Sequence, residues 1–222
     1  MTGKIYLCGG GDEKQTYEVD EDFLKNVKTI LYIPWAWPND DFKSCEKWFQ
    51  NCMKKHKEVK IRTLTEIKIP KSIEKYDAIY IGGGNTFKLL GRLKEVGLDK
   101  KLIKLYKKGK KIYGGSAGAL IWGSDIKTAF LCMDKEENMV NLRDTSGLNF
   151  VSNHDIQAHF EANQIKEHQE YISKTGRSII AIPEDSALRI SEKELLVVGL
   201  SPITIISKDS YKTFKPNSIV KI

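Results

Sequence analysis

Gly114, Ser116 and Gly118 in "KIYGGSAGAL" (residues 111–120) match G-x-S-x-G, the spacing of a nucleophile elbow. In such an elbow a sharp strand-to-helix turn leaves the serine hydroxyl exposed, while the glycines admit backbone approaches that a side chain would block. With 17 glycines and 14 serines in 222 residues, chance supplies roughly 0.08 such matches. The residues before the match are apolar and those after it, "AGALIW", are small and helix-tolerant, so the match falls where a strand gives way to a helix. The plainer alternative is a glycine turn.

A serine hydroxyl is a weak nucleophile until a base takes its proton, and that base is usually histidine. The chain has four histidines. His56 ends a lysine-rich helical stretch and His168 lies inside another, and both are expected at the surface. His154 and His159 remain, in "SNHDIQAHF". If this run is extended, residues five apart point to opposite faces, so only one can address Ser116 and a two-histidine metal site is disfavoured. His159 stands at the end of the run, where a strand presents functional groups, and is preferred as the base. The base needs an acceptor to orient its ring. Asp155 shares a strand face with His159, but four extended residues separate the two by roughly 13 Å. Glu184, in "AIPEDSAL", follows a strand and is the preferred acid; Asp125, Asp134, Asp144 and Asp185 are weaker candidates, and a solvated loop carboxylate is the plain alternative for Glu184. The amide of Ala117, directly after the serine, suits an oxyanion donor, with Gly83 or Gly84 of "GGGNT" as the second. That glycine loop and "CGGGDEK" (residues 8–14) lack both the Walker lysine arrangement and the G-x-G-x-x-G spacing, so neither reads as a nucleotide site.

The elements that would carry these residues alternate. Strand patterns occupy 4–7, 29–33, 59–63, 78–81, 111–113 and 179–182; helical patterns occupy 41–56, 86–95, 99–108, 117–122 and 163–174. This alternation predicts an α/β fold with a mostly parallel sheet covered by helices on both faces. Beyond residue 187 the helices cease, and "ALRIS", "ELLVVG", "PITIIS" and "YKTF" read as antiparallel hairpins at the sheet edge. In open α/β sheets functional groups gather outside the carboxyl ends of the strands. Ser116, "GGGN" (82–85), "PEDS" (183–186) and "PNDD" (38–41) each follow a strand and are expected to meet on one rim.

Composition sets outer limits. The 222 residues, 41% hydrophobic and 29% charged, suit one globular domain spanning 1–222. The apolar runs are too short for a membrane span, and the N-terminal stretch lacks a signal segment, so a cytoplasmic protein is expected. Cysteines 8, 45, 52 and 132 form no C-x-x-C pair and read as buried thiols. The net charge of +7 is spread along helix faces rather than interleaved with aromatics, so nucleic acid is not an expected partner, and neither is a membrane. A monomer or a homodimer is expected.

"AIYIGGGNTFKLL", then "GGSAGA", "DIQAHF" and "IPEDSAL", in that order, resemble the serine peptidases that comprise peptidase E (aspartyl dipeptidase) and cyanophycinase. The resemblance runs from the glycine loop at Cys8 to the edge strands near Gly199. It implies a fold similar to the class I glutamine amidotransferases, with serine at the elbow where those enzymes carry cysteine. It also implies Ser116 as nucleophile, His159 as base and Glu184 as acid, although an aspartate after the elbow has been considered for the third role. Gly84 and Ala117 would hold the oxyanion, Gly83 and Asn85 would face a short peptide substrate, and no metal or cofactor is implied. Members acting on aspartyl substrates have arginines just after the catalytic histidine, whereas this chain has none until Arg177 and offers only Lys166 as a point charge. Aspartyl specificity is therefore not carried over. The expected function is a serine exopeptidase or dipeptidase. Its rivals are an esterase or amidohydrolase, whose usual order places the histidine after the acid, and a noncatalytic binding protein on the same fold.

Overall fold

The computed structural model describes residues 2–132 and 135–222. Its central feature is an eight-stranded sheet built from β1 (Lys4–Cys8), β2 (Thr29–Ile33), β3 (Lys60–Thr63), β4 (Ala78–Ile81), β5 (Lys111–Gly115), β8 (Ser186–Ile190), β9 (Leu195–Gly199) and β12 (Ile219–Val220). The order is β12-β9-β8-β1-β5-β4-β2-β3. Strands β3, β2, β4, β5 and β1 are mutually parallel, and β8, β9 and β12 extend the sheet antiparallel from the free side of β1. The sheet is a mixed α/β sheet with helices on both faces, as the alternating pattern predicts.

Period-two alternation sorts each buried strand between two cores. Ile5 and Leu7, Leu31 and Ile33, Ile79 and Ile81, and Ile112 face one core, under α3 (Thr86–Val96) and α4 (Leu98–Lys107). Tyr6, Tyr32 and Tyr113 face the other, under α1 (Tyr17–Leu24) and α2 (Phe42–Cys52). Helix α1 has no counterpart among the sequence patterns: its eight residues include four acids, and its signal is only the i, i+4 pair Val19 and Phe23 that it buries. Gly97 closes α3 in the left-handed conformation that glycine adopts without a Cβ penalty.

The C-terminal strands depart from expectation. Residues 178–181 form β7 (Ser178–Ala181), which leaves the main sheet and pairs in parallel with β6 (His154–Gln157). The hairpin β10 (Ile203–Ile206) and β11 (Tyr211–Phe214) joins β7, giving a second sheet of order β11-β10-β7-β6, rather than adding to the main edge. Only "ALRIS" and "ELLVVG", now β8 and β9, lie where the edge hairpins were expected. Both faces of the second sheet are apolar and each has its own cover. Ile156, Ile180, Ile203 and Ile205 turn toward the main core, while Ile179, Ala181 and Ile206 turn with Phe160 toward Ile172 of α6 (Ile165–Thr175).

His168 is also a correction. It is buried on α6 rather than exposed, its Nδ1 2.6 Å from the Gln164 carbonyl and its ring edge-on to Phe160, and burial holds its pKa down. His56 is partly buried, 3.6 Å from Glu21. Cys8, Cys45 and Cys132 are buried as expected, and Cys52 partly so. Among the described residues no helix is long and apolar enough to cross a membrane.

Phe23 pins α1 to the sheet, meeting Tyr6, Tyr80 and Tyr113 edge to face at 5.2 to 6.1 Å with no exposed surface. Phe23→Ala is expected to destabilise the protein by about 3–5 kcal/mol, read as a lowered denaturant midpoint with an unchanged slope.

Candidate active site

Strand β5 runs through Gly115 into Ser116, whose backbone takes φ 51° and ψ −117° before α5 (Ala117–Leu120) begins. A non-glycine residue at positive φ is strained, and here the strain turns the side chain out of the sheet at the strand's carboxyl end. The turn is tight enough that a Cβ on Gly114 would sit 2.1 Å from the Gly118 carbonyl oxygen, and one on Gly118 would sit 2.4 Å from the Ile81 carbonyl oxygen, which is why the first and last positions of the motif are glycine. The Ser116 amide donates to the Cys8 carbonyl, so the β1–β5 ladder continues to Ser116 itself.

Strand β6 ends at Gln157, and His159 lies beyond it at φ 52°. The expected contrast of opposite strand faces therefore does not apply, because the chain has left extended geometry before it reaches His159. The structure brings this histidine to the serine: His159 Nε2 is 2.9 Å from Ser116 Oγ. Its Nδ1 is 2.8 Å from Glu184 Oε1. Glu184 leaves β7 through Ile182 and Pro183, and Gln15 Nε2 donates to its second oxygen at 2.9 Å. The hydrogen bond from His159 and then that from Gln15 hold the Glu184 carboxyl below its ordinary range, so it stays anionic.

The other candidates are engaged elsewhere. His154 turns its Nδ1 to the Ser152 carbonyl at 2.8 Å. Asp155 is fully buried and receives Arg177 Nε, the Tyr171 hydroxyl and the Asp125 amide. Asp125 accepts from Thr145, Asp144 pairs with Lys94, and Asp185 accepts from Ser201. Asp134 lies outside the described residues. Arg177, the first arginine after His159, is thus committed to Asp155, and Lys166 is exposed on α6.

Ser116, His159 and Glu184 share a cavity of about 630 Å³ with Gly83, Gly84 and Asn85. Pro38 brings the "PNDD" loop to the same rim. The Asn85 side chain is occupied, however: its Oδ1 caps α3 at the Lys88 amide and its Nδ2 donates to the Glu137 carbonyl. Asn85 can therefore shape the wall, with little left to offer a ligand. Ser116 also lines a recess of about 100 Å³ walled by Trp37, Trp48, Tyr80 and Tyr113.

Three contributors were not found from the sequence. Gly10, set aside with a glycine loop that lacks phosphate-binding spacing, has φ 99°, and a Cβ there would stand 2.7 Å from His159 Cε1 and 2.8 Å from Ser116 Cβ. Gln15 lies 169 residues from Glu184, and no local pattern pairs them. Glu136 lines the cavity from the segment after the elbow, where both its carboxylate oxygens accept from Thr86.

The sequence profile of peptidase family S51 matches residues 5–198. The chain belongs to peptidase family S51. It is accordingly a serine-type peptidase. Among relatives, an uncharacterized peptidase of Listeria monocytogenes is 32% identical over 190 residues, covering 81% of this chain and 91% of its own. Peptidase E of Haemophilus influenzae (strain PittGG) is 29% identical over 203 residues, covering 85% and 83%. A crystal structure of a peptidase E protein from L. monocytogenes EGD-e superposes with a TM-score of 0.72 at 26% identity, covering 90% of this chain and all of that one. A peptidase from an acI-B1 actinobacterium reaches the same TM-score at 19% identity and supports the fold alone.

Because a Cβ on Gly10 would press on both the serine and the imidazole, Gly10→Ala is expected to lower kcat/KM about 100-fold or more while the circular dichroism spectrum stays that of the parent.

Proposed function

We propose that this peptidase is an exopeptidase acting on short peptides, with Ser116 as nucleophile, His159 as general base and acid, and Glu184 as the group that orients the imidazole. The observation that carries the reading is the unbroken relay from Ser116 Oγ through both ring nitrogens of His159 to Glu184, at 2.9 and 2.8 Å, opening on a cavity.

With Nδ1–H donating to the Glu184 carboxylate, Nε2 keeps its lone pair toward the serine hydroxyl. As Oγ attacks the peptide carbonyl carbon, its proton passes to Nε2, and the carbonyl oxygen takes up the negative charge. Ala117 begins α5, where the first amides of a helix have no carbonyl in their own turn to satisfy them, and its N–H together with that of Gly84 would receive that charge. Collapse of the tetrahedral intermediate breaks the C–N bond, and the imidazolium gives its proton to the departing amine. Water then repeats the sequence on the acyl-enzyme, with His159 again taking the proton, and releases the acid.

The preference for short peptides rests on shape. Ser116 lines both a cavity of about 630 Å³ and a recess of about 100 Å³, a pair of spaces suited to the residues on the two sides of one scissile bond, and the larger has the size of a small-ligand site. Peptidase E among the relatives is consistent with this class of substrate. An aspartyl preference lacks support here, because Arg177 is held by Asp155 and no lysine or arginine lines the cavity among the described residues.

Ser116→Ala and His159→Ala are each expected to lower dipeptide hydrolysis by roughly 10⁴-fold or more, whereas His154→Ala retains most of it. A fluorophosphonate probe should label wild-type protein at Ser116, located by peptide mass spectrometry. Absence of both labelling and turnover, alongside tight peptide binding, would favour a noncatalytic binding protein.

A further inference from the structure

The cavity beside Ser116 carries a charge that no protein group answers. Its ionisable walls are His159 and Glu184, which are bonded to each other, the buried Cys132 thiol, which accepts from Gln157, and Glu136. Glu136 accepts the Thr86 amide at 2.5 Å and the Thr86 hydroxyl at 2.7 Å, and among the described residues it has no ion pair with lysine, arginine or histidine. The cations on the neighbouring helix are spent elsewhere: Lys88 and Arg92 both pair with Asp40. Capping the start of α3 explains where Glu136 sits, since helix N-termini favour an anion. It does not use up the group. A carboxylate offers about four acceptor positions, and the two hydrogen bonds from Thr86 leave the others available to whatever fills the cavity. Pro38 and Met139 add apolar surface to the same walls, suited to the methylene stem of an amphipathic cation. With no cation beside it, burial pushes the Glu136 carboxyl up to about 7, and an ammonium seated there would draw it back down.

We infer that Glu136 is a specificity-determining residue that receives a cationic group of the peptide, either the α-ammonium of its first residue or a basic side chain. This rests on reading the cavity as the peptide site, and it goes further by assigning the charge of the preferred substrate. The site selects positive over neutral or acidic peptides, in keeping with an absence of lysine and arginine from its described walls.

Binding can be measured without turnover, so the test separates this inference from the proposed chemistry. Calorimetric titrations at pH 8 use the Ser116→Ala protein with four probes: lysyl-alanine, norleucyl-alanine and the N-acetyl form of each. A charged hydrogen bond in a cavity is worth about 10- to 100-fold in Kd, so the probes bearing the recognised cation should bind tighter by that factor. If acetylation abolishes the advantage, the α-ammonium is the group received; if exchange of lysine for norleucine abolishes it, the side chain is. Adding Glu136→Gln should erase the difference while leaving the affinity of acetyl-norleucyl-alanine within about threefold, and Glu136→Asp should retain part of the difference, as a purely structural cap would not require. Equal affinities for all four probes, no binding of any of them, or an equal loss across all four in Glu136→Gln would overturn the inference. Hydrolysis of the same peptides by wild-type protein then judges the peptidase chemistry separately.

Discussion

The carboxyl end of β1 is the joint on which the site depends. Four backbone hydrogen bonds converge there: Ser116 N–H to the Cys8 carbonyl, His159 N–H to the Gly9 carbonyl, Gly9 N–H to the Ser186 carbonyl and Gly11 N–H to the Glu184 carbonyl. One short strap of glycines therefore fixes the serine, which belongs to the main sheet, against the histidine and glutamate, which leave strands of a second sheet. Backbone bonds of this kind have little rotational freedom to lose, unlike contacts between long side chains, so three groups distant in sequence can be held at hydrogen-bond distance without relying on their own rotamers. The crowding at Gly10 is the steric counterpart of that alignment.

The distribution of charge around this joint follows from burial and pairing. Glu184 is half exposed and doubly hydrogen-bonded, which keeps it anionic and able to stabilise an imidazolium. Asp155, on the strand that leads to His159, is fully buried, but Arg177 and Tyr171 answer it, and the group serves to fix the second sheet. Glu136 differs from both in being largely removed from water with hydroxyl and amide partners only. The three carboxylates thus have three environments set by their neighbours, and their positions in the chain do not announce which is which.

Much of the site was legible because its signals are local. A strand, a G-x-S-x-G turn and small residues after it form one continuous segment, and steric rules alone demand the glycines. The glycine loop at 82–85 and the "PEDS" loop each follow a strand, so the rule for the carboxyl ends of strands brought them to the correct rim even though β7 lies in the second sheet. What failed was any inference that needed a partner across space. The parity rule for His154 and His159 assumed an extended run that stops at Gln157, and His168, on a helix rich in polar residues, is covered by Phe160 from another segment.

The sequence by itself determined most of the segments that become strands and helices, α1 excepted, which serine stands on an elbow, and which histidine and acid lie at strand ends, because period, turn chemistry and glycine sterics act over a few residues. Tertiary structure alone decided that 178–181 would leave the main sheet, that Gln15 would brace Glu184, that Arg177 would answer Asp155, and that Glu136 would stand uncompensated in the cavity. Those outcomes depend on which apolar face finds cover and which charge finds a partner across tens of residues of chain, and no local pattern records them.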